Sequence, residues 1–236
     1  MGDDQREYRQ AQFRRPPGAC ELLLVRHGES APAREGGAFP VAGGHSDPPL
    51  DTVGEDQAER VAQRLVESGE PIAAVYVTTL QRTHQTAAPL ARRLGIEPVV
   101  EPDLREVFLG EWEGGAGFRK HMAEGHPIAL DVMKQQRWDV IPGAEPGDAF
   151  SARVRAGIQR IAECHRDQTV VVVAHGGVIG EVIRQAVESP NGFAFVGADN
   201  GSISHVVVAG ARWIVRRFND TAHLKPIFST AAEPLT

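Results

Sequence analysis

Two histidines come directly after apolar segments of the sequence. His27 follows the aliphatic residues 22–25 and Arg26, and His175 follows the aliphatic residues 170–174. A neutral imidazole is already a nucleophile, so it can attack phosphorus and form a phosphoramidate that water later cleaves. A second imidazole, when protonated, adds donors where charge develops in the transition state. These residue types indicate phosphoryl transfer with His27 as candidate nucleophile, although a lone Arg-His pair at a strand end is more often a surface or capping pair.

Two arginines are candidates for binding a phosphate group. Arg26 precedes His27, and Arg82 lies in the first turn of a predicted helix. An arginine there opposes the helix dipole, so Arg82 calls for an anionic partner; the alternative is an exposed arginine that reaches a nearby carboxylate. Two guanidinium groups offer planar, bidentate donors to a dianionic phosphate. Ser30 and Gly176, close in sequence to the two histidines, are the further candidate phosphate ligands.

Glu106 is the candidate proton donor. It follows a predicted strand at 98–100 and lies among large apolar residues, which favour a protonated carboxyl group. Such a group protonates the departing alcohol and afterwards activates water, as general acid–base catalysis requires. The nearby Glu111 and Glu113 are expected to be solvated.

Buried strands and amphipathic helices alternate along the chain and would position these side chains. Aliphatic runs predict buried strands, and apolar residues at three- and four-residue spacing predict helices. The predicted strands are 20–27, 72–77, 98–100 and 169–174, followed by an antiparallel hairpin of 202–208 and 212–218. The predicted helices cover 51–69, 80–94, 147–165 and 178–187. Because open α/β sheets bind ligands beyond the carboxyl ends of their strands, the candidate residues are expected at one edge of the sheet.

Two further segments differ from this α/β pattern. The loop at 28–49, rich in Gly, Pro, Ala and Ser, is expected to cover the site. A helix-compatible segment at 118–138 interrupts the core elements, and such an excursion is typical of a cap or lid. We therefore predict a single domain at 20–225 with a small cap at about 114–142, between loose tails at 1–19 and 226–236.

The composition argues against several classes of function. The chain has 236 residues, 42% of them hydrophobic, which suffices for a full core. A net charge of −6 argues against binding nucleic acid or a membrane surface. No apolar run is long enough to span a bilayer, and the acidic N-terminus lacks a hydrophobic signal core, so a cytoplasmic location is expected. The two cysteines and the remaining histidines lack metal-type spacing, so no metal is expected.

Short motifs along most of the chain resemble one known family. Residues 26–29 (Arg-His-Gly-Glu) resemble the signature of the histidine phosphatase superfamily, in the branch of the cofactor-dependent phosphoglycerate mutases and the small phosphatases similar to them. The other matching segments, which extend the resemblance to about 21–224, are 44–58, 79–87, 104–114, 173–177 and 219–224. The resemblance implies a three-layer α/β/α sandwich whose mostly parallel sheet has one antiparallel strand, and it implies no cofactor.

The resemblance also implies a role for each candidate residue. His27 would be the phosphorylated nucleophile, and Glu106 would be the proton donor. Arg26, Arg82 and His175 would form the phosphate pocket. The implied activity is the hydrolysis of phosphate monoesters of a small metabolite through a phosphohistidine intermediate, with a preference for acidic pH.

Two alternatives to a phosphatase are open. A cofactor-dependent phosphoglycerate mutase needs a second anion site in its cap, which Arg119, Lys120 and Arg137 would supply. Two features favour the phosphatase: the cap is short, and Ala33 stands where the mutases carry a phosphate-contacting asparagine. Residues 142–146 also depart from the family pattern. A non-catalytic phosphate-binding module is disfavoured because all the chemical positions are filled. A homodimer through the edge of the terminal hairpin is a further open alternative.

Overall fold

A computed structural model of the protein describes residues 9–34, 36–37 and 39–224. The strands in these residues are β1 (Cys20–Arg26), β2 (Val41–Ala42), β3 (His45–Ser46), β4 (Ile72–Val77), β5 (Val99–Val100), β6 (Thr169–Ala174), β7 (Ile203–Ala209) and β8 (Arg212–Asp220). The α-helices are α1 (Thr52–Glu67), α2 (Gln81–Leu94), α3 (Gly117–Ala123), α4 (Pro127–Gln135), α5 (Gly147–Cys164) and α6 (Gly176–Ala186). Short 3-10 helices lie at Pro102–Leu104, Gly110–Trp112 and Trp138–Val140.

One six-stranded sheet, in the order β5-β4-β6-β1-β7-β8, organises the fold. β1 pairs in parallel with β6, and β4 pairs in parallel with both β6 and β5. β7 runs antiparallel to its two neighbours, β1 and β8. The predicted mostly parallel sheet with one antiparallel strand is therefore confirmed. All residues of β6 are buried, as expected for an aliphatic strand inside such a sheet.

Helices cover both faces of the sheet and give the predicted three layers. On one face, α1 and α2 pack on a cluster that includes Val25, Val75 and Val173. On the other face, α5 and α6 pack on a cluster that includes Leu24 and Val172. Neighbouring strand residues belong to opposite clusters because side chains alternate across a strand. The α/β/α sandwich is thus confirmed.

The backbone after β1 is held between α1 and α2. Asp51 caps α1, since its side chain accepts a hydrogen bond from Gly54 N at 2.8 Å. Gly28 packs so closely on Gly54 that a Cβ at Gly28 would overlap the Gly54 carbonyl group. Gly28 N also donates to Thr86 Oγ1 of α2 at 3.0 Å. These contacts fix the backbone position of His27.

The segment between β5 and α5 differs from the single helical excursion expected over 118–138. It contains two helices, α3 and α4, because Gly125 adopts a positive φ of 65° and Pro127 begins a new helix. Together with the 3-10 helix at Trp138–Val140, they pack around an apolar cluster that includes Trp112 and Val132. Residues 114–142 thus have an apolar cluster of their own beside the main core.

The N-terminal segment is less loose than its composition predicts. Residues 9–18 form no helix or strand, yet the Phe13 ring lies 3.8 Å from the Arg216 guanidinium, and Gly18 N donates to Asp167 Oδ1 at 2.7 Å. Residues 1–8 and the tail predicted at 226–236 lie outside the described residues. Within the described ranges, no helix is long and apolar enough to cross a membrane.

Candidate active site

The candidate residues converge where β1, β4 and β6 end. All of them except His175 line a cavity of about 350 Å³. Arg26 ends β1 and His27 follows it, Arg82 lies in the first turn of α2, and Gly176 begins α6 directly after β6. Glu106 reaches the same cavity from the loop after the 3-10 helix at Pro102–Leu104. The location agrees with the prediction of a site at the carboxyl ends of the parallel strands.

His27 presents an unprotonated ring nitrogen to the cavity. Its Nδ1 lies 2.7 Å from the carbonyl oxygen of Gly28. A carbonyl only accepts, so Nδ1 carries the proton and Nε2 keeps its lone pair. Arg82 Nε donates to that Nε2 at 3.2 Å. Burial, and then the charges of Arg82 and Arg26, hold the pKa of His27 well below its ordinary value, so the ring is neutral at neutral pH.

The two arginines lie close enough to this nucleophile for their charges to lower its pKa. Arg26 Nη1 donates to Ala198 O, whereas its buried Nε has no partner among the described residues. Arg82 Nη1 donates to Ser46 O at 3.1 Å and lies 3.8 Å from Asp47 Oδ1. Burial lowers the pKa of both guanidinium groups, which still remain protonated at neutral pH. Arg82 is buried and lines the cavity, so the alternative of an exposed arginine is wrong, although a carboxylate, that of Asp47, does lie nearby.

His175 lies beside His27 but does not line the cavity. It is 0% exposed, and its ring centroid lies 5.2 Å from that of His27. Its Nε2 lies 2.9 Å from Thr78 Oγ1, while its buried Nδ1 has no partner in the part of the chain that is described. Burial, followed by the charge of Arg82, holds the pKa of His175 well below its ordinary value. The ring is therefore neutral in the free protein, and not the protonated donor considered from the sequence.

Glu106 lies in a more polar environment than its sequence neighbours suggest. Its Oε1 accepts a hydrogen bond from Val107 N at 3.0 Å, and its Oε2 accepts one from Gly177 N at 3.1 Å. Both donors are backbone groups, and Gly177 belongs to the first turn of α6. The loop that carries Glu106 is held by Arg153, whose Nη2 donates to Glu106 O at 3.0 Å and whose Nη1 donates to Arg105 O at 2.6 Å. The carboxyl group is thus fixed at the cavity by backbone donors.

Ser30 and Gly176 also line the cavity. Ser30 Oγ accepts a hydrogen bond from Arg119 Nη2 at 2.6 Å, and Arg119 Nη1 donates to Ala31 O at 2.9 Å. Arg119 belongs to α3 and thereby links this helix to the loop after β1. A Cβ at Gly176 would lie 3.4 Å from Arg26 Nε, so the glycine lets the helix start lie next to that guanidinium.

Four further side chains at the site are missed by sequence reasoning. Glu113, expected to be solvated, accepts hydrogen bonds from Ser46 N at 2.7 Å, Ser46 Oγ at 2.8 Å and Leu109 N at 3.0 Å. The others are His45, which lines the cavity, Asn200, whose Nδ2 donates to the His27 carbonyl, and Thr78. Thr78 directly follows β4, as His27 directly follows β1. A search for polar residues directly after the predicted strands would therefore have found it. His45 and Glu113 lie in the segments 44–58 and 104–114 that resemble the family, which was a signal for both, whereas Asn200 carries none.

The described residues contain no group of three or more His, Cys, Asp or Glu side chains arranged to hold a metal ion. The polar groups at the cavity include a neutral imidazole, three guanidinium groups and a carboxyl group on fixed backbone donors. This arrangement is able to bind a phosphate group, attack it and exchange a proton with its leaving group.

Comparisons with known proteins agree with this chemistry. The chain is 32% identical over 209 residues to phosphoglycerate mutase-like protein 4 of Arabidopsis thaliana, covering 87% of both chains. It is 30% identical over 213 residues to a metal-independent phosphoserine phosphatase of the same plant, covering 88% of this chain and 84% of the relative. The structure of Bacillus stearothermophilus YhfR superposes with a TM-score of 0.73 at 26% identity, covering 87% and 100% of the two chains. Residues 22–221 match the histidine phosphatase superfamily (branch 1), and the chain therefore belongs to that family.

Proposed function

We propose that the protein is a phosphatase that hydrolyses phosphate monoesters of small metabolites through a phosphohistidine intermediate. The observation that carries this proposal is the state of His27, whose Nε2 keeps its lone pair in a cavity beside Arg82. A nucleophile that is already deprotonated needs only a phosphate group bound within reach of its lone pair. The relative named as a phosphoserine phosphatase supports a small phosphorylated substrate.

In the first half-reaction, the substrate phosphate binds Arg26, Arg82 and the backbone N–H groups at Gly176, where α6 begins. Arg82 Nε gives up its hydrogen bond to His27 Nε2 as it binds the phosphate, which frees the Nε2 lone pair. His27 Nε2 then attacks phosphorus, and the P–N bond forms as the P–O bond to the alcohol breaks. The alcohol oxygen takes a proton from Glu106, so the alcohol leaves neutral and Glu106 becomes a carboxylate. The two arginines continue to bind the phosphoryl group.

In the second half-reaction, water occupies the position of the alcohol. The water oxygen attacks phosphorus while Glu106 accepts a proton from the water. A new P–O bond forms, and the P–N bond to His27 breaks. Inorganic phosphate leaves, and both residues return to their starting protonation states. Ser30 accepts a hydrogen bond from Arg119, which leaves its own hydroxyl proton free to donate to a phosphate oxygen.

His175 contributes a donor while neutral. The Thr83 hydroxyl donates to Leu80 O at 2.8 Å, so the Thr78 hydroxyl has its own proton to donate, either to Thr83 Oγ1 at 3.2 Å or to His175 Nε2. If that proton goes to His175 Nε2, at 2.9 Å, the ring carries its hydrogen on Nδ1, the nitrogen without a partner in the described part of the chain. We assign this tautomer to the reacting state, because it leaves an N–H group on Nδ1 for an anion that binds at His27 and reaches the neighbouring His175 ring, without placing a charge in the protein interior.

The proposed preference for acidic pH follows from the same groups. His27 must be neutral to attack, and its lowered pKa keeps it neutral well below pH 6.5. Glu106 must supply the proton that a basic alcohol takes as it leaves, and general-acid catalysis of this kind is favoured in acidic solution. The rate for an alkyl ester should therefore fall with increasing pH. In strongly acidic solution the rate should fall as well, because His27 becomes protonated and can no longer attack.

A cofactor-dependent mutase is the second candidate. Arg119 places a third guanidinium group in the cavity, as a substrate with two anionic groups would need, and one relative is named as phosphoglycerate mutase-like. Of the other cap cations considered from the sequence, Arg137 pairs instead with Asp139 at 2.9 Å. A mutase would convert 3-phosphoglycerate to 2-phosphoglycerate in the presence of bisphosphoglycerate, whereas the proposed phosphatase releases inorganic phosphate.

The test measures phosphate release from an aryl phosphate in the presence of a chelator, together with rapid acid-free quenching to detect phosphohistidine. The wild-type protein should release phosphate and accumulate one phosphohistidine, and His27→Ala should do neither. His165→Ala is the matched control, because His165 bonds Tyr76 and lies outside the cavity. Unchanged turnover in His27→Ala would disprove the nucleophile, and phosphate binding without turnover would indicate a non-catalytic binding module.

A further inference from the structure

One wall of the cavity is apolar and has no part in the phosphate chemistry. Phe39, Phe118, Met122, Met133 and Trp138 line it, and each of these side chains is only half-buried. Phe118 and Met122 lie four residues apart on α3, so they share one face of that helix. Water against large apolar side chains is unfavourable, and an apolar ligand group that displaces it gains affinity.

Contacts between aromatic rings hold this wall in place. Ring centroids are separated by 6.2 Å between Trp112 and Phe118, by 5.9 Å between Phe118 and Trp138, and by 4.5 Å between Trp138 and Phe193. Trp112 is buried in the apolar cluster that also contains Val132. Rings that are already fixed lose little conformational entropy when a ligand binds, while the two methionines can adapt to its shape. The wall is therefore preorganised for an apolar group.

The two charged side chains beside this wall, Glu113 and Arg119, already make hydrogen bonds within the protein, and the carboxylates of Glu29 and Asp51 attract the Arg119 guanidinium. Glu113 accepts three hydrogen bonds from Ser46 and Leu109, and Arg119 donates to Ser30 and to the Ala31 carbonyl. The cavity is also lined by Glu29, which is exposed. The remaining charged or titratable side chains of the lining are His45 and the groups assigned to the reaction. The Glu29 carboxylate would repel a second anionic group on the substrate. An uncharged leaving group needs no ionic partner here.

From these features we infer that the alcohol part of the substrate carries an uncharged aromatic or branched aliphatic group of about one ring in size. This inference rests on the proposed phosphatase function. A cavity of about 350 Å³ lies near the lower end of the range for small-molecule sites, so it accommodates a phosphate and one such group. The apolar group lies against Phe118 and Met122 while the phosphate lies at His27.

Alkyl esters test this inference, because leaving groups of similar basicity separate recognition from chemistry. We would measure kcat/KM for 2-phenylethyl phosphate, ethyl phosphate, glycerol 3-phosphate and O-phosphoserine. The 2-phenylethyl ester should exceed each of the other three by about ten-fold or more, the gain expected from burying one aromatic ring. Inhibition of the wild-type protein by 2-phenylethylphosphonate should likewise be about ten-fold stronger than by ethylphosphonate, a measurement that needs no variant.

Variants locate the effect on the wall. Met122→Gln keeps the side-chain size but adds a polar amide, so the preference for 2-phenylethyl over ethyl phosphate should fall several-fold. Leu130→Gln is the matched control, because Leu130 is 62% exposed on α4 and does not line the cavity. Equal kcat/KM for the 2-phenylethyl and ethyl esters, or a preference for a polar ester, overturns the inference while the phosphatase stands. Hydrolysis of none of these esters or of an aryl phosphate overturns the proposed function itself, and the inference with it.

Discussion

Replacing Gly177 by alanine should displace the proposed proton donor without unfolding the protein. A Cβ at Gly177 would lie 2.6 Å from Glu106 Oε1, whereas ordinary contact begins at 3.4 Å, so the carboxyl group must move by about 0.8 Å. The atom that must move is the end of a flexible side chain, so the fold tolerates the change. A misplacement of about 1 Å in a catalytic group costs about 100-fold in rate, so we expect a loss of about 30- to 100-fold.

The loss should depend on the leaving group. Glu106 protonates the alcohol, so ethyl phosphate should lose the full factor in kcat/KM, while p-nitrophenyl phosphate, whose leaving group needs no proton, should lose only a few-fold. The parameter kcat/KM is chosen because it covers the steps up to transfer of the phosphoryl group to His27. Gly147→Ala is the control, since the nearest atom to a Cβ there is Asp139 Oδ2 at 3.8 Å. Its kinetics with both esters should match those of the wild type.

Two results would refute this reasoning. Equal losses with both esters would mean that Gly177→Ala disturbs phosphate binding and not proton transfer. In a Glu106→Ala background, Gly177→Ala should have almost no further effect, because the displaced group is already absent; additive losses would show that the two residues act independently. Thermal unfolding provides the check on structure, as alanine in the first turn of α6 should leave the melting temperature unchanged or slightly raised.

Three further predictions use the same geometry. Thr78→Val removes the partner of His175 Nε2 and should lower kcat about ten-fold, with an altered ¹⁵N tautomer signal of His175. Thr78→Ser keeps the hydroxyl group and should recover the rate. Equal rates in the two variants would contradict the role assigned to the Thr78 hydroxyl. Arg153→Lys cannot donate to all the carbonyl groups that hold the Glu106 loop, so urea unfolding should show a loss of about 2–4 kcal/mol. Because the pKa values of His27 and His175 are lowered in the folded state, the unfolded state binds more protons below pH 6.5. The free energy of unfolding should therefore fall as the pH decreases below 6.5, by about 1.4 kcal/mol per pH unit for each histidine. Urea unfolding should show this slope in the wild type and not in the double variant His27→Asn, His175→Asn.

The sequence predicts the buried elements well because their patterns are unambiguous. β6 is predicted at 169–174 and is found there, since its aliphatic run is buried on both faces and is bounded by Gln168 and His175. Asp51 caps α1 as predicted, because a short polar side chain before a helical stripe has few other uses. Arg82 is in the first turn of α2, as predicted. These predictions depend on residues within one turn or one strand.

Contacts between distant segments could not be predicted in the same way. Glu113 is held by Ser46, 67 residues earlier in the chain, and Arg119 reaches Ser30 across 89 residues. No local pattern distinguishes these two side chains from solvated charges on a surface loop. The break between α3 and α4 did have a signal in Pro127, which begins a helix more readily than it continues one.

The meeting of the two histidines depends on the register of β1 and β6. In this parallel pair, Val25 is opposite Val173 and Arg26 is opposite Ala174, so the next residues of each strand are His27 and His175. A shift of one residue would place the two side chains on opposite faces of the sheet. Two aliphatic runs buried on both faces do not specify this register by hydrophobicity alone. The motifs therefore predict which side chains do the chemistry, whereas packing around β1 determines that their rings lie 5.2 Å apart.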